Sequence, residues 1–347
     1  MIATQRMSGS APNGQMNGFE LLMASYAMAH LKLDLLLTET GYKPTSNQRF
    51  KVYLTNSLEE HHQDTGTLFA NWLSTEANEA NHIKRDTPVM CVIGNPPYSV
   101  SSNNKSPWIE NLVADYKKNL NERNIQPLSD DYIKFIRFGQ HFIEKNGEGI
   151  LAYINPHGFL DNPTFRGMRW NLMQSFDKIY SIDLHGNSKK KETAPDGSID
   201  QNVFDIMQGV SINLFIKTGK KKKTELGKVF HYDLFGKRDL KYDFLSGNLL
   251  KDVAFQELKP NEPNYFFIPK NDEGRNVYEN GFRVDELFTK NVTGIVTMGD
   301  EFAFSETKLG LLNRLNEFKH NDISESDLKT KYNLGKNYAE FILKNKE

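Results

Sequence analysis

The 347-residue sequence predicts a doubly wound α/β fold, and three observations carry the prediction. The apolar run Cys91-Val92-Ile93 stops at Gly94-Asn95-Pro96, and Gly149-Ile150-Leu151-Ala152-Tyr153-Ile154 stops at Asn155-Pro156-His157. Both read as buried strands of a parallel sheet that deliver a polar turn to the carboxyl edge, where such sheets bind ligands. Between them Tyr132, Ile133, Phe135, Ile136, Phe138, Phe142 and Ile143 recur at helical intervals, and Asn146-Gly147 supplies the stop. Strand, helix, strand is the grammar of a βαβ unit.

The remaining elements follow in order. Residues 1–16 are rich in Ser, Gly, Asn, Gln and Met without periodicity, which predicts a disordered lead-in. Folding is expected from Asn17, with a helix reaching Leu37 that keeps Lys32 and Asp34 on its wet side. Phe50-Lys51-Val52-Tyr53-Leu54 alternates like a short strand and runs into Thr55-Asn56-Ser57-Leu58. Residues 59–88 are polar and predict a helical insertion whose His61, His62 and His82 are solvated and not metal ligands. Ser99 to Ser106 is a polar loop. Arg166, Arg169 and Trp170 open a helix, Ile179 to Leu184 is a strand, and strands are expected again at Val210–Ile216 and Val229–Tyr232. Beyond Asp239 the rhythm becomes irregular and aromatic.

Composition sets limits. The single cysteine, Cys91, excludes a disulfide framework, gives no metal cluster and reads as a buried small hydrophobe. No apolar stretch approaches a membrane span and the first residues lack a secretory core, so a cytoplasmic protein is expected. With 43 basic against 44 acidic residues, any nucleic-acid surface must be a local patch.

Chemistry concentrates at Asn95-Pro96-Pro97-Tyr98. Each proline fixes φ and removes a donor, so the Asn95 side chain and the Pro96 carbonyl stand as fixed acceptors with the Tyr98 ring beside them. Such a pocket suits a planar ring bearing an amino group. That nitrogen is a poor nucleophile while its lone pair is delocalised, and two acceptors for its protons favour the tetrahedral, nucleophilic geometry. Tyr98 would stack on the ring.

This motif resembles the catalytic motif of S-adenosylmethionine-dependent amino-group methyltransferases, shared by DNA adenine, RNA guanine and protein glutamine methylases. Alone it leaves the substrate open. Three further stretches, Gly18 to Leu33, Leu160 to Arg169 and Asp183 to Glu192, resemble the adenine-specific methyltransferase region of single-chain Type I (Type ISP-like) restriction-modification enzymes, over most of residues 17–300. The resemblance implies a Rossmann-like fold and transfer of methyl from S-adenosylmethionine to a flipped adenine in double-stranded DNA. It implies roles: Asn95, Pro96, Pro97 and Tyr98 catalytic, Tyr98 and Phe204 stacking on the target base, and Glu20 receiving the cofactor's ribose hydroxyls. Asn56, Ser57 and Leu58 would contact the cofactor's adenine, and Lys189, Lys190 and Lys191 the DNA backbone. No metal is expected. The domain reading is a lead-in (1–16), a catalytic domain (17–238), a linker (239–283) and a partial target-recognition segment (284–347). The family's first strand and glycine-rich loop should precede Gly18, and Ser8 to Gly14 does not supply them. The sequence therefore reads as a fragment, incomplete at the N-terminus, with nuclease, helicase and the rest of the methylase on another polypeptide. A remnant that binds DNA or completes a partner without turnover is the alternative.

Overall fold

The computed structural model describes residues 2–5, 16–42, 50–60, 71–99, 102–118, 120, 122, 124–271, 273–288, 290, 300–320 and 324–334. They divide into two compact units, Met1–Asn271 and Asp272–Glu347. The expectations on Ser8 to Gly14, on His61 and His62, and on residues 291–299 lie outside the described residues.

The first unit is a mixed sheet flanked by helices. Its strands are β1 (Ile2–Gln5), β2 (Met16–Glu20), β3 (Val52–Leu54), β4 (Val89–Gly94), β5 (Gly149–Pro156), β6 (Lys178–Asp183), β7 (Val210–Lys217), β8 (Lys228–Asp233) and β9 (Gln256–Leu258). Helices α1 (Met23–Glu39), α2 (Asn71–Asp86), α3 (Pro107–Ala114), α4 (Asp131–Asn146), α5 (Arg166–Ser175) and α6 (Arg238–Gly247) alternate with them. The order across the sheet is β3-β2-β1-β4-β5-β7-β6-β8-β9. The pairs β2/β3, β4/β5 and β6/β8 are parallel, so β4, β5, β6 and β8 bring their carboxyl ends to one edge. The sheet is mixed because β7 returns from β6 without a crossover helix and pairs antiparallel to both β5 and β6.

Ile2–Gln5 departs from the disordered lead-in expected there. It lies between β2 and β4, antiparallel to both. A slot between two strands exposes unpaired amides and carbonyls on each side, and an extended segment of either polarity satisfies them.

Helix α4 anchors the fold, and its sequence explains why. The Asp130 side chain caps it by accepting from the Tyr132 amide, Gly147 ends it at φ +88°, and the predicted apolar stripe lies buried against β4 and β5. The main core joins that stripe to Val92, Leu151 and Tyr153 of the sheet and to Met168, Leu172 and Met173 of α5. Cys91, expected to be buried, is half-buried, because it belongs to the opposite face of β4.

The first unit runs to Asn271, inside the stretch 239–283 read from the sequence as a linker. Helix α6 and β9 pack on the unit, and Phe267 is fully buried edge-on to Phe159, its amide donating to the Leu160 carbonyl. The second unit holds α7 (Arg275–Glu279), α8 (Val284–Leu287), α9 (Asp300–Ala303), α10 (Lys308–His320) and α11 (Glu325–Tyr332). Its core is a ring cluster of Phe302, Phe318 and Tyr332, with the Arg314 guanidinium over the Tyr332 ring. No helix of the described residues is long and apolar enough to cross a membrane.

Candidate active site

A cavity of about 530 Å³ opens at the carboxyl edge of β2, β3 and β4. Glu20, Asn56, Ser57, Asn95, Pro96 and Pro97 all line it, together with Phe19, Asn104, Asp131, Phe135 and Tyr153. Residues separated by 75 positions are thereby brought to one wall.

Each is held by local structure. Glu20 ends β2, and its Oε1 accepts from the Leu21 and Leu22 amides (2.9 and 3.0 Å), which fixes the carboxylate at the start of α1. Both bonds fall on one oxygen and leave the other for a ligand. Asn56 forms an Asx turn, its Oδ1 accepting from the Leu58 amide at 3.0 Å, while its Nδ2 donates to Asn104 Oδ1 at 3.0 Å. Lys84 of α2 supports this turn by donating to the Asn56 carbonyl at 2.7 Å and to Thr55 Oγ1 at 3.0 Å, and burial pushes its ammonium down to about 8. Leu58 is not a lining residue: its side chain is fully buried in the core and only its amide serves the turn.

Asn95 is exposed, Pro96 buried and Tyr98 half-buried. The Tyr98 hydroxyl donates to Asn95 Oδ1 at 2.9 Å and approaches the Ile154 carbonyl at 3.3 Å. Burial pushes this phenol up to about 12, so it remains a donor at neutral pH. Its ring meets Tyr132 edge-on at 6.4 Å. Tyr98 and Phe204 pack against the same small apolar cluster, Ile182, Leu184, Val203, Val210 and Leu234. Phe204 itself lines a second cavity of about 670 Å³ with Met207 and Arg238.

The polar loop after Tyr98 is tied down at the residues described. The Ser99 amide donates to Asp130 Oδ1 (2.9 Å), the Asp131 amide to the Ser99 carbonyl (3.2 Å), and Ser102 Oγ and Asn104 Nδ2 both donate to Asp131 Oδ1 (2.6 and 2.9 Å). Lys134, one turn along α4 and 1% exposed, donates to Ser102 Oγ and the Asn104 carbonyl and pairs with Glu110 at 2.8 Å. Asp131 and Asn104 thus build the cavity wall, with Lys134 buried behind them, and all three were missed from the sequence. The available signal was two charges, Asp131 and Lys134, interrupting the otherwise apolar stripe of α4.

His157 does not reach this cavity. Its Nδ1 meets Asp183 Oδ1 at 2.9 Å within a network at the ends of β5, β6 and β8. There His185, at φ +50° and stacked on Phe235, donates from both ring nitrogens, to Glu192 Oε1 (2.9 Å) and Asp233 Oδ1 (2.8 Å). The nitrogen and oxygen atoms of His157, Asp183 and His185 lie within 4.8 Å of one another, close enough to share a cation, and the hydrogen bonds just described engage all three instead. Burial opposes charge on His185, but the bonds to Asp233 and Glu192 prevail and lift it from 6.5 to about 9. Glu192 falls to about 2 against its own burial, chiefly through the His185 bond. His185 then stabilises fully below about pH 6.5 and loses that contribution as pH rises through 9, whereas Glu192 contributes above about pH 4.5 and loses it toward 2. Thermal unfolding is expected to show Tm falling between pH 6.5 and 9, and His185→Gln should flatten that slope. An unchanged slope would remove His185 as its source.

Arg169 is not available to phosphate. It is fully buried, bonded to the carbonyls of Phe159, Asn162 and Asn264, and burial pushes it down to about 9. Arg166 pairs with Glu122. Lys189, Lys190 and Lys191 are exposed on a short turn capped by Asn187.

The model of one known family matches a stretch of sequence that contains both Glu20 and the turn Asn95 to Tyr98. Residues 17–189 match the model of the Eco57I restriction-modification methylase family. Solved structures agree on the fold. This chain is similar to the ATP-dependent Type ISP restriction-modification enzyme LlaBIII bound to DNA, at 24% identity over 75% of this chain and 18% of that one, with a TM-score of 0.61. A nuclease-deletion mutant of the Type ISP enzyme LlaGI with a DNA substrate mimic gives 20% identity, 75% and 22% coverage and a TM-score of 0.62. The DrdV–DNA complex gives 21%, 92% and 33%, and 0.63. At these identities the likeness is one of fold, and the chain spans a third or less of the solved chains. Among curated proteins nothing matches the chain. Glu20, the Asn56 turn, Asn95 to Tyr98 and Lys189 fall inside the matched segment, and Phe204 lies beyond it.

Proposed function

We propose that this methylase segment carries the site of a site-specific DNA adenine N6-methyltransferase of a restriction-modification system, with S-adenosylmethionine as cofactor. The observation that carries the reading is the single cavity joining Glu20 and the Asn56 turn to Asn95-Pro96-Pro97. Its size is that of a small-molecule site. Its donor set fits a nucleoside: a carboxylate with one free oxygen for ribose hydroxyls, a polar turn at Asn56 and Ser57, and the Phe19 and Phe135 rings as apolar walls. Bound S-adenosylmethionine supplies an electrophilic methyl group. Asn95 Oδ1 and the Pro96 carbonyl accept from the adenine amine and hold its lone pair toward the cavity. Tyr98 presents its ring to the base, and Phe204, on the same apolar cluster, presents a second. The solved structures with DNA support DNA as the substrate, and the exposed Lys189 to Lys191 turn offers charge for its backbone.

Two outcomes follow. Glu20→Ala should weaken cofactor binding at least tenfold by calorimetry, since it removes charge-assisted bonds of roughly 1.5–3 kcal/mol; unchanged affinity would place the ribose elsewhere. Tyr98→Ala should weaken binding of a mismatched target base more than Tyr98→Phe, because the ring face makes the stack, and the phenylalanine also frees Asn95 Oδ1. Equal losses would assign the function to the hydroxyl. The decisive experiment for substrate maps methyl label by mass spectrometry on duplex DNA, RNA and a glutamine-bearing release factor, with label on adenine of duplex DNA expected. Label on either other substrate overturns the reading.

A further inference from the structure

The charged network at the ends of β5, β6 and β8 stands apart from the cavity of Asn95: none of His157, Asp183, His185, Glu192 and Asp233 lines that cavity. A separate cavity of about 200 Å³ opens against all five. His157, Asp183 and His185 are 7%, 4% and 8% exposed. At this depth histidines among carboxylates form either a closed set of ion pairs or the ligands of a cation. Spacing, support from behind and charge together favour the cation.

His157 Nδ1 lies 2.9 Å from Asp183 Oδ1, Asp183 Oδ2 3.9 Å from His185 Nδ1, and His185 Nδ1 2.9 Å from Glu192 Oε1. Tetrahedral zinc, with bonds of about 2.0–2.1 Å, holds its ligand atoms about 3.3 Å apart, so shifts of about half an ångström suffice. The two imidazole rings cross at 87° with centroids 6.2 Å apart. Two imidazoles on one zinc place theirs roughly 5–6 Å apart. Each ring is also held by its other nitrogen. His185 Nε2 donates to Asp233 Oδ1 at 2.8 Å, an oxygen that His231 Nε2 also meets at 2.9 Å, and His157 Nε2 lies 3.3 Å from the Asn187 side-chain amide. A ligating histidine usually has its second nitrogen hydrogen-bonded in this way, most often to a carboxylate, which fixes the ring's orientation. Finally, Asp161, Asp183, Glu192 and Asp233 bring four carboxylates to the small cavity against His185 and Lys190, an excess of negative charge that a divalent ion offsets.

The geometry points to a zinc site formed by His157 Nδ1, Asp183, His185 Nδ1 and Glu192. The hydrogen bonds of the network are compatible with it, because they join one ligand to another through a proton that the metal replaces. On binding, the His157 proton moves from Nδ1 to Nε2, where the Asn187 amide turns its oxygen to accept it. The proton between His185 and Glu192 leaves to water, and His185 keeps its bond to Asp233. Two imidazoles and two carboxylates suit four-coordinate zinc, whereas calcium and magnesium take six or more ligands, nearly all oxygen. With all four positions filled by side chains the site is structural, and it ties the ends of β5 and β6 to the lysine turn that Glu192 follows. The sequence reading expects no metal because these ligands come from three separate segments without a local motif.

The test dialyses the full chain against a chelator, then titrates it with zinc chloride by calorimetry and with cobalt chloride by visible absorption. One zinc per chain at micromolar or tighter affinity is expected, and cobalt should give the intense bands of a four-coordinate ion. His157→Gln and the milder Glu192→Gln, each checked for native circular dichroism, should lower zinc affinity by about tenfold or more. His82→Ala removes the exposed His82–Asp86 pair of α2 and should leave the affinity unchanged. Four results overturn the inference: no saturable zinc binding up to millimolar concentration; affinity kept within about threefold in either natively folded ligand variant; affinity lost in His82→Ala, which places the metal on α2; or the weak cobalt bands of a six-coordinate ion.

Discussion

Asn95→Ala is expected to lower methyl transfer by about 10²–10³-fold, the loss typical when one preorganised polar group is removed from a reacting centre. The side chain sits at the carboxyl end of β4, and its direction is set by Pro96, Pro97 and the bond from Tyr98 to its Oδ1. An acceptor fixed in this way matters most when the amine becomes tetrahedral, so its deletion falls on the chemical step. Cofactor affinity should remain within about twofold, because in the proposed site the nucleoside is assigned to Glu20 and the Asn56 turn, whose own bonds do not involve the Asn95 amide. Single-turnover transfer of labelled methyl to duplex DNA, with calorimetry alongside, separates the two effects. Asn95→Asp keeps an acceptor in place and should retain more turnover than alanine. Turnover in Asn95→Ala within tenfold of the parent would exclude the amide as a principal contributor.

The parts of this site legible in the sequence are those written in local signals. Strand β4 reads as an apolar run, the turn after it as Asn-Pro-Pro-Tyr, and α4 as a 3.6-residue stripe bounded by Asp130 and Gly147. Each of these depends on neighbours in the chain. The cavity wall depends on contacts between distant segments: Lys134 reaching back to Ser102, Asn104 meeting Asn56 across 48 positions, and Lys84 supporting Thr55 from another helix. None has a local pattern, and a buried lysine in a helix reads from sequence as a solvated one. The role of His185 was hidden for the same reason, since its partners Glu192 and Asp233 come from a loop and from a later strand. Strand polarity was equally hidden. Nothing in Val210 to Ile216 states that it enters antiparallel; the lack of a helix between β6 and β7 does, and reading that absence requires the intervening 26 residues to be recognised as a loop.

That loop leads to the second large effect. It carries Lys189 to Lys191 and Phe204, and it is clamped by a buried pair: Asp200 Oδ1 meets Lys241 Nζ at 2.8 Å, with both side chains fully buried. The Asp200 oxygens also accept from the Gly186 and Gly236 amides at 2.5 and 2.7 Å, while Lys241 donates to the carbonyls of Leu184 and Gln201 at 2.6 and 2.7 Å. Three segments, the end of β6, the loop and α6, therefore meet on two opposite charges. Gly186 has φ +75°, and a Cβ there would lie 2.4 Å from the Asn202 backbone, so only glycine fits where the end of β6 passes the loop. Removing one charge is costly because the other stays buried and unpaired: Lys241→Met is expected to destabilise the first unit by about 3–5 kcal/mol, and Asp200→Asn with Lys241→Met to recover part of that. Denaturant unfolding measures the loss. Limited trypsin cleavage at Lys189 to Lys191 should accelerate in Lys241→Met before global unfolding, since the loop is released first. A loss below about 1 kcal/mol in Lys241→Met, with cleavage unchanged, would show that the amides alone hold Asp200 and that the placement of Phe204 does not depend on the clamp.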